Sequence, residues 1–403
     1  MDIELLENER MEFKSLRANV ATDVDHELAN EKYIRGDVRI VTEQARYPLN
    51  TIVTMVESPD YNLNPEFQRR HRWNNERKSR LIESFIINVP IPPVFLYEVD
   101  FSEYEVMDGL QRLTAISQFY KDEFALEGLT EWKELDGCKY STLPVQIRRG
   151  IDRRYLSSII LLQETAKDER EAERLKQMVF ERINSGGEKL KAQEIRNALY
   201  SGRFNSFCIR ISRNQFFCKM WNIPEPDAEE LKDYKNVRND VIKNPLFKEM
   251  SDVELCLRFF AYRQIDSWLG STMEVFLDEY LKKATVEYSD EMFIRLEKIF
   301  NDTCELAYSI FGELAFCLHR KRNGVEIHYE RPTKVLYDPI MHVLSTMLNR
   351  KNELIASKDK IVSLTRDMHL DNQELFDGRR TTKKDVNARF SLIKTFFEKI
   401  LND

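Results

Sequence analysis

The sequence predicts an α+β chain, with a mixed α/β N-terminal domain followed by a mostly α-helical domain. Three observations predict it. Short apolar runs with strand character, at residues 38–56, 94–99, 104–106 and 156–162, are confined to the first half. From Tyr200 onward the apolar spacing is helical almost throughout. Glycine and proline number 12 each in 403 residues, too few for a chain dominated by structureless loops. The division that results is a helical arm over 1–40, the mixed domain over 41–200 and the helical domain over 201–403.

Composition narrows the functional classes. With 42% hydrophobic and 32% charged residues the chain can bury a sizeable core and is not a disordered segment. A net charge of −7 excludes a globally basic nucleic-acid binder, so any DNA contact must come from local patches. The six cysteines are scattered without a CxxC pair, and the N-terminus MDIELLENER carries no secretory leader. They read as reduced, mostly buried thiols of a cytoplasmic protein. No apolar run approaches bilayer length, so no membrane partner is expected.

Taken in order, residues 1–36 are charged and mildly amphipathic, with Leu5, Leu6, Met11, Phe13 and Leu16 on possible helical faces. Such an arm could pack on the body or on a second copy, and a homo-oligomer is compatible with it. Residues 38–56 predict a strand, a turn at Pro48 and a further ordered segment. Asn74 or Asn75 is placed to cap a helix whose buried face is Leu81, Ile82, Phe85 and Ile86, ending before Pro90. Between Gln68 and Arg80 lie six Arg/Lys against one acid, interleaved with Phe67 and Trp73, which is the pattern of an anion or nucleic-acid surface or simply of a solvated helix face. The stretch YEVMDGLQRLTAI (104–116) reads as a strand, a turn at Asp108-Gly109 and a helix carrying Leu113, Ile116 and Phe119 inward. Residues 124–147 predict short strands and turns, RRGIDRR (148–154) is a second basic cluster, and 156–162 is a buried strand or helix start. An amphipathic helix over 168–183 stops at Asn184-Ser185-Gly186-Gly187, and a second begins near Lys191. Helices follow near 251–268, 272–284, 290–311, 334–349, 353–369 and 382–401, with 319–334 a basic loop or hairpin.

The chemistry concentrates in three short segments. They are Gln68, Arg69 and Arg72; Asp108, Gly109, Gln111, Arg112 and Thr114; and Asn184, Gly187, Gln193, Glu194, Arg196 and Asn197. A glycine at a strand-to-helix turn exposes backbone N–H groups at a helix N-terminus, a ready anion site. Arginines with amides and one or two carboxylates suit a phosphorylated ligand with a divalent cation. Hydrolysis of such a ligand needs a group to orient water, and Asp108 and Glu194 are the candidates. HExxH, GxSxG and Walker-type patterns are missing, and Cys317, His319 and His328 match no zinc spacing.

Four ordered motifs, PEFQRRHRW (65–73), RLIESFIINVPIPPVFLYE (80–98), YEVMDGLQRLTAI (104–116) and FERINSGGEKLKAQEIRNA (180–198), resemble the bacterial DGQQR-motif family. That family includes the S half of the GmrSD modification-dependent restriction enzymes. The resemblance implies a ParB/sulfiredoxin-like fold whose glycine-arginine turn binds a nucleoside triphosphate with Mg²⁺, with hydrolysis coupled to DNA restriction or anti-phage defence. Asp108, Gly109, Gln111 and Arg112 match the namesake motif, Gln68 and Arg69 its Gln-Arg, and Asn184, Gly187 and Glu194 its later segment. Leu110 stands where the motif has its first glutamine and is expected to point into the core. No C-terminal histidine-rich nuclease module is recognisable, so cleavage would fall to a partner nuclease or other defence protein. The competing expectations are a DNA-binding or scaffolding protein with a degenerate pocket, and a ParB-like nuclease acting alone.

Overall fold

The computed structural model describes residues 5–13, 26–35, 40–63, 73–163, 169–183, 191–200, 202–232, 237–268, 272–379 and 382–402. The chain forms two compact units, Val20–Leu199 and the combination of Met1–Asn19 with Tyr200–Asp403.

The first unit is α/β. Its elements are α1 (His26–Arg35), β1 (Thr42–Pro48), α2 (Ile52–Glu57), β2 (Tyr61–Asn62), α3 (Asn75–Ile87), β3 (Val94–Asp100), β4 (Glu103–Asp108), α4 (Leu110–Tyr120), α5 (Val145–Asp152), β5 (Tyr155–Leu161), α6 (Glu169–Ile183) and α7 (Ala192–Leu199). The five strands make one mixed sheet in the order β1-β5-β3-β4-β2. β1–β5 and β3–β4 are antiparallel, whereas β3–β5 and β2–β4 are parallel. Strand alternation assigns its two faces. Val94, Leu96, Val106, Leu156 and Ile160 pack with Leu81, Ile82 and Phe85 of α3 and Leu113, Ile116 and Phe119 of α4. Met107 and Leu161, on the other face, pack with Phe180 of α6 and with Ile195 and Leu199 of α7. The sheet is therefore covered on both sides, each fully buried Leu, Ile or Phe contributing about 1.5–3 kcal/mol.

Asn74 caps α3, its side chain accepting from the Arg77 N–H at 3.0 Å, and Asn88 ends the helix at φ 62. The run 156–162 is a strand. Residues 124–147 hold no strand, contrary to expectation. They form 3-10 turns at Lys133–Leu135 and Tyr140–Thr142 because side chains take up the backbone donors instead of a neighbouring strand. Glu83, buried on α3, accepts the N–H groups of Thr130 (3.0 Å), Glu131 (2.8 Å) and Trp132 (3.0 Å) and the Thr130 hydroxyl (3.1 Å). Burial by itself raises this carboxyl, but the four donors outweigh it and hold it below the usual glutamate range. A depressed folded value means the stabilisation is complete above the unfolded glutamate's range, about pH 4.3, and is lost as pH falls through the lower folded value. Glu83→Gln is expected to cost about 2 kcal/mol at neutral pH and to flatten the acid limb of stability. Urea midpoints between pH 7 and pH 3 check this, and parallel wild-type and variant curves would refute it.

The second unit is helical. It comprises α8 (Arg203–Ile211), α9 (Gln215–Met220), the short α10 (Ala228–Lys232), α11 (Asn239–Lys243) and α12 (Pro245–Lys248), then α13 (Ser251–Arg263), α14 (Met273–Glu287), α15 (Asp290–Phe311), a hairpin of β6 (Cys317–Arg322) and β7 (Val325–Pro332), α16 (Lys334–Thr346), α17 (Lys351–Ala356), α18 (Lys358–Asp371) and α19 (Lys383–Asn402). Its core is strongly aromatic, with Phe204, Phe217, Phe260, Phe300, Phe316 and Tyr337 fully buried. The helix expected over 251–268 ends at Arg263 in a 3-10 turn, and the one expected over 353–369 is two helices. The basic stretch 319–334 is a hairpin turned by Asn323 (φ 51) and Gly324 (φ 80), the residue pair that a two-residue loop with two positive φ values prefers.

Residues 5–13, expected to be helical, form a turn and an irregular segment within this second unit. Glu9 makes a buried bidentate ion pair with Arg263, Nε–Oε1 at 2.6 Å and Nη2–Oε2 at 2.8 Å. Its carbonyl accepts from Gln264 Nε2 (2.6 Å) and the Tyr288 hydroxyl (2.8 Å), Met11 is buried, and Phe13 meets Phe276 edge-on. Helical apolar spacing here reflects burial of an irregular segment whose polar backbone is satisfied by side chains.

Candidate functional site

β4 delivers Asp108 to the end of the sheet, and Gly109 turns the chain into α4 with φ 97. Only glycine suits this corner, since the conformation is left-handed and a Cβ would lie 2.4 Å from Val94 Cγ1. Leu110 points into the core, as its place in the motif implies. One turn into α4, Arg112 reaches back. Its Nη2 bonds Asp108 Oδ2 at 2.6 Å and its Nη1 bonds the Pro92 carbonyl at 2.7 Å, with only 11% of the side chain exposed. The guanidinium thus locks the β4–α4 turn to the segment preceding β3. Asp108 stays 38% exposed and spends only Oδ2 on this pair.

Gln111, on the first turn of α4, accepts the Trp73 N–H at 3.2 Å. Trp73 directly precedes the cap of α3, and the Arg77 guanidinium sits over its ring at 4.9 Å. The amino ends of α3 and α4 are therefore tied together. Each carries N–H groups without intrahelical partners and the positive end of a helix dipole, so the corner presents positive potential beside one part-exposed carboxylate. Thr114 is half-buried one turn further along α4.

Of the remaining expected residues, Gln68, Arg69, Arg72, Asn184 and Gly187 lie outside the described residues. Glu194 is buried on α7 and accepts the Lys191 N–H, closing the first turn of its helix in the manner of a capping glutamate. α7 packs through Ile195, Ala198 and Leu199 in the cluster containing Met107, the residue before Asp108. Gln193, Arg196 and Asn197 are buried with Glu194. Sequence reasoning missed the Pro92 carbonyl and the Trp73 amide. The PIPP run, which has no amide hydrogen on its prolines and holds an extended backbone, was the available signal for the former.

Outside this corner, the β6–β7 hairpin stacks His319 on His328 at 4.0 Å and brings His369 to 5.9 Å from His319, so these histidines are not isolated as their sequence positions imply. His369 is buried and pushed down to about 3, chiefly by burial, so it is neutral packing at physiological pH. Among the described residues no group of three His, Cys, Asp or Glu is arranged to hold a metal ion. All six cysteines are free, five buried and Cys138 half-buried. Among the described residues no helix is long and apolar enough to cross a membrane.

Comparison with known proteins assigns the α/β unit. Residues 49–201 match the family described as GmrSD restriction endonuclease, N-terminal domain, and this segment is similar to a GmrSD-type N-terminal domain. The match spans β2 to β5, helices α3 and α4 and the Asp108–Arg112 corner, while β1 precedes it. No curated protein and no solved structure matches the chain.

Proposed function

We propose that this protein is the nucleotide-responsive component of a bacterial, cytoplasmic DNA-restriction or anti-phage system, with the β4–α4 corner seating the phosphates of a nucleoside triphosphate. The observation that carries the reading is the joining of two helix N-termini by the Trp73–Gln111 bond around the Asp108–Gly109 turn. The GmrSD-type domain supports the restriction context, and on this reading a partner supplies DNA cleavage. A ParB/sulfiredoxin-like use of the glycine turn belongs to the same proposal.

Arg112 is the proposed phosphate contact, already held in place by Asp108 and Pro92, so that its remaining donors meet the ligand without a new ordering cost. Gln68, Arg69, Arg72, Asn184 and Gly187 are proposed to complete the pocket. Mg²⁺ fits the donor set in one form only: with no three-ligand cage among the described residues, it would be held mainly by the phosphates and reached by Asp108 through Oδ1. Of the two carboxylates, Asp108 reaches solvent and is the better placed to orient water, while Glu194 is buried with Oε2 on its own helix cap.

Titration of the four nucleoside triphosphates with Mg²⁺ tests the reading. Binding of at least one is expected, weakened at least tenfold by Arg112→Ala and less by Arg112→Lys, with thermal unfolding confirming that each variant folds. Absence of binding to all four, or affinity untouched by Arg112→Ala, would sink it.

A further inference from the structure

The cluster RRGIDRR takes no part in the corner described above. It lies on α5 and its exit, at the opposite end of α3. Arg154 Nε donates to the carbonyl of Phe85, in the last turn of α3, at 3.1 Å, whereas Trp73 and Gln111 meet at the amino end of that 13-residue helix. A helix of this length separates the two places by about 20 Å.

α5 sorts its charges by face. Ile151 is buried in the core, and Asp152, the one acid of the cluster, turns inward to accept from Tyr120 (3.0 Å) and Tyr140 (2.9 Å). Burial, together with Asp152, pushes the Tyr140 phenol up to about 12, so it remains a donor at physiological pH. The acid is thereby withdrawn from the arginines. Arg149 and Arg153 are exposed, Arg148 is half-buried, and among the described residues none of the three forms an ion pair. Elsewhere in this acidic chain surface arginines are commonly neutralised, as in Arg80–Glu76, Arg238–Asp240 and Arg366–Glu326.

We infer that the outer face of α5 and its exit form a sequence-independent contact surface for the phosphate backbone of duplex DNA. Arg149 and Arg153, four apart on one helix face, stand about 6 Å from one another and offer planar forks to neighbouring phosphates of one strand. None of these side chains is aimed by a partner at a base edge, so the surface positions DNA rather than reading it. The choice of DNA among polyanions rests on the restriction-system reading above; the free arginine face does not.

The test is fluorescence anisotropy of the full chain with a labelled 30-base-pair duplex across a salt series, with nucleotide binding measured in parallel. Wild type is expected to bind with a steep salt dependence and no preference between unrelated sequences. Arg149→Gln/Arg153→Gln is expected to weaken binding on the order of tenfold at moderate salt and to reduce the log–log salt slope by about 2. Gly150 gives a control that cannot be confused with misfolding, because a side chain added there meets nothing within 4 Å. Gly150→Lys should tighten binding and Gly150→Glu loosen it, although both replace a mid-helix glycine. An unchanged slope in the double variant, the two Gly150 variants moving in the same direction, or binding of single-stranded RNA in preference to the duplex would each overturn the inference. The double variant should retain nucleotide affinity. Loss of nucleotide binding in the wild type with DNA binding intact would overturn the nucleotide pocket and leave this surface standing.

Discussion

Gly109→Ala is expected to destabilise the α/β unit by about 3 kcal/mol or more, combining backbone strain with overpacking. The left-handed conformation at φ 97 is one that residues with a side chain rarely adopt. The added methyl would also fall 2.4 Å from Val94 Cγ1, on a central strand that cannot retreat because it is paired on both sides with β4 and β5. Gly137→Ala separates the two effects. Gly137 has φ 88 but open space where a Cβ would go, so its variant should show the strain alone, about 1 kcal/mol. Urea midpoints of the two variants measure the difference. If Gly109→Ala cost no more than Gly137→Ala, the close approach to β3 would not be a determinant of the corner. Because the same glycine sets Asp108 against Arg112, the variant is also expected to lose the nucleotide binding proposed for the corner.

Glu9→Ala is the second large effect, expected at about 3–5 kcal/mol in the helical unit. Removing this carboxylate leaves the Arg263 guanidinium buried without its bidentate partner, and an uncompensated buried charge costs more than the pair itself contributes. The segment would then be held by Leu6, Met11 and Phe13, by the Met11 N–H bond to Gln264 and by the bonds of Gln264 and Tyr288 to the Glu9 carbonyl. Hydrogen exchange should rise across residues 5–13 and the last turns of α13, with a lower urea midpoint. Glu9→Gln, which keeps an acceptor near Arg263, should fall between. Unchanged protection of residues 5–13 in Glu9→Ala would refute the latch.

The β4–α4 corner is legible in the sequence because its determinants are local. Alternation through Tyr104 and Val106, a glycine at the turn and the inward row Leu113, Ile116 and Phe119 lie within one short stretch, and each is a near-neighbour effect. The cap at Asn74 and the Asn323-Gly324 hairpin turn are legible for the same reason. Glu83 is not. Nothing around it in the sequence indicates that its carboxylate will hold three amides nearly fifty residues away in place of strand pairing, and so residues 124–147 read as short strands. Residues 5–13 mislead in the opposite direction, because helical spacing of apolar groups does not distinguish a helix from an irregular segment that buries Leu6, Met11 and Phe13 in a core supplied by distant helices.

The sequence by itself determined the α+β class, the capped helices, the glycine corner and the likeness in four ordered motifs that the GmrSD-type match over residues 49–201 bears out. Only the tertiary structure decided which charges are anchored against the fold and which face solvent. Arg112 carries the same charge as Arg149, yet it is folded back onto Asp108 and Pro92, while Arg149 faces solvent and Asp152 is turned away to two tyrosines. Ion pairing and burial depend on distances between residues far apart in the chain, and those distances exist only once the sheet and its helices have packed.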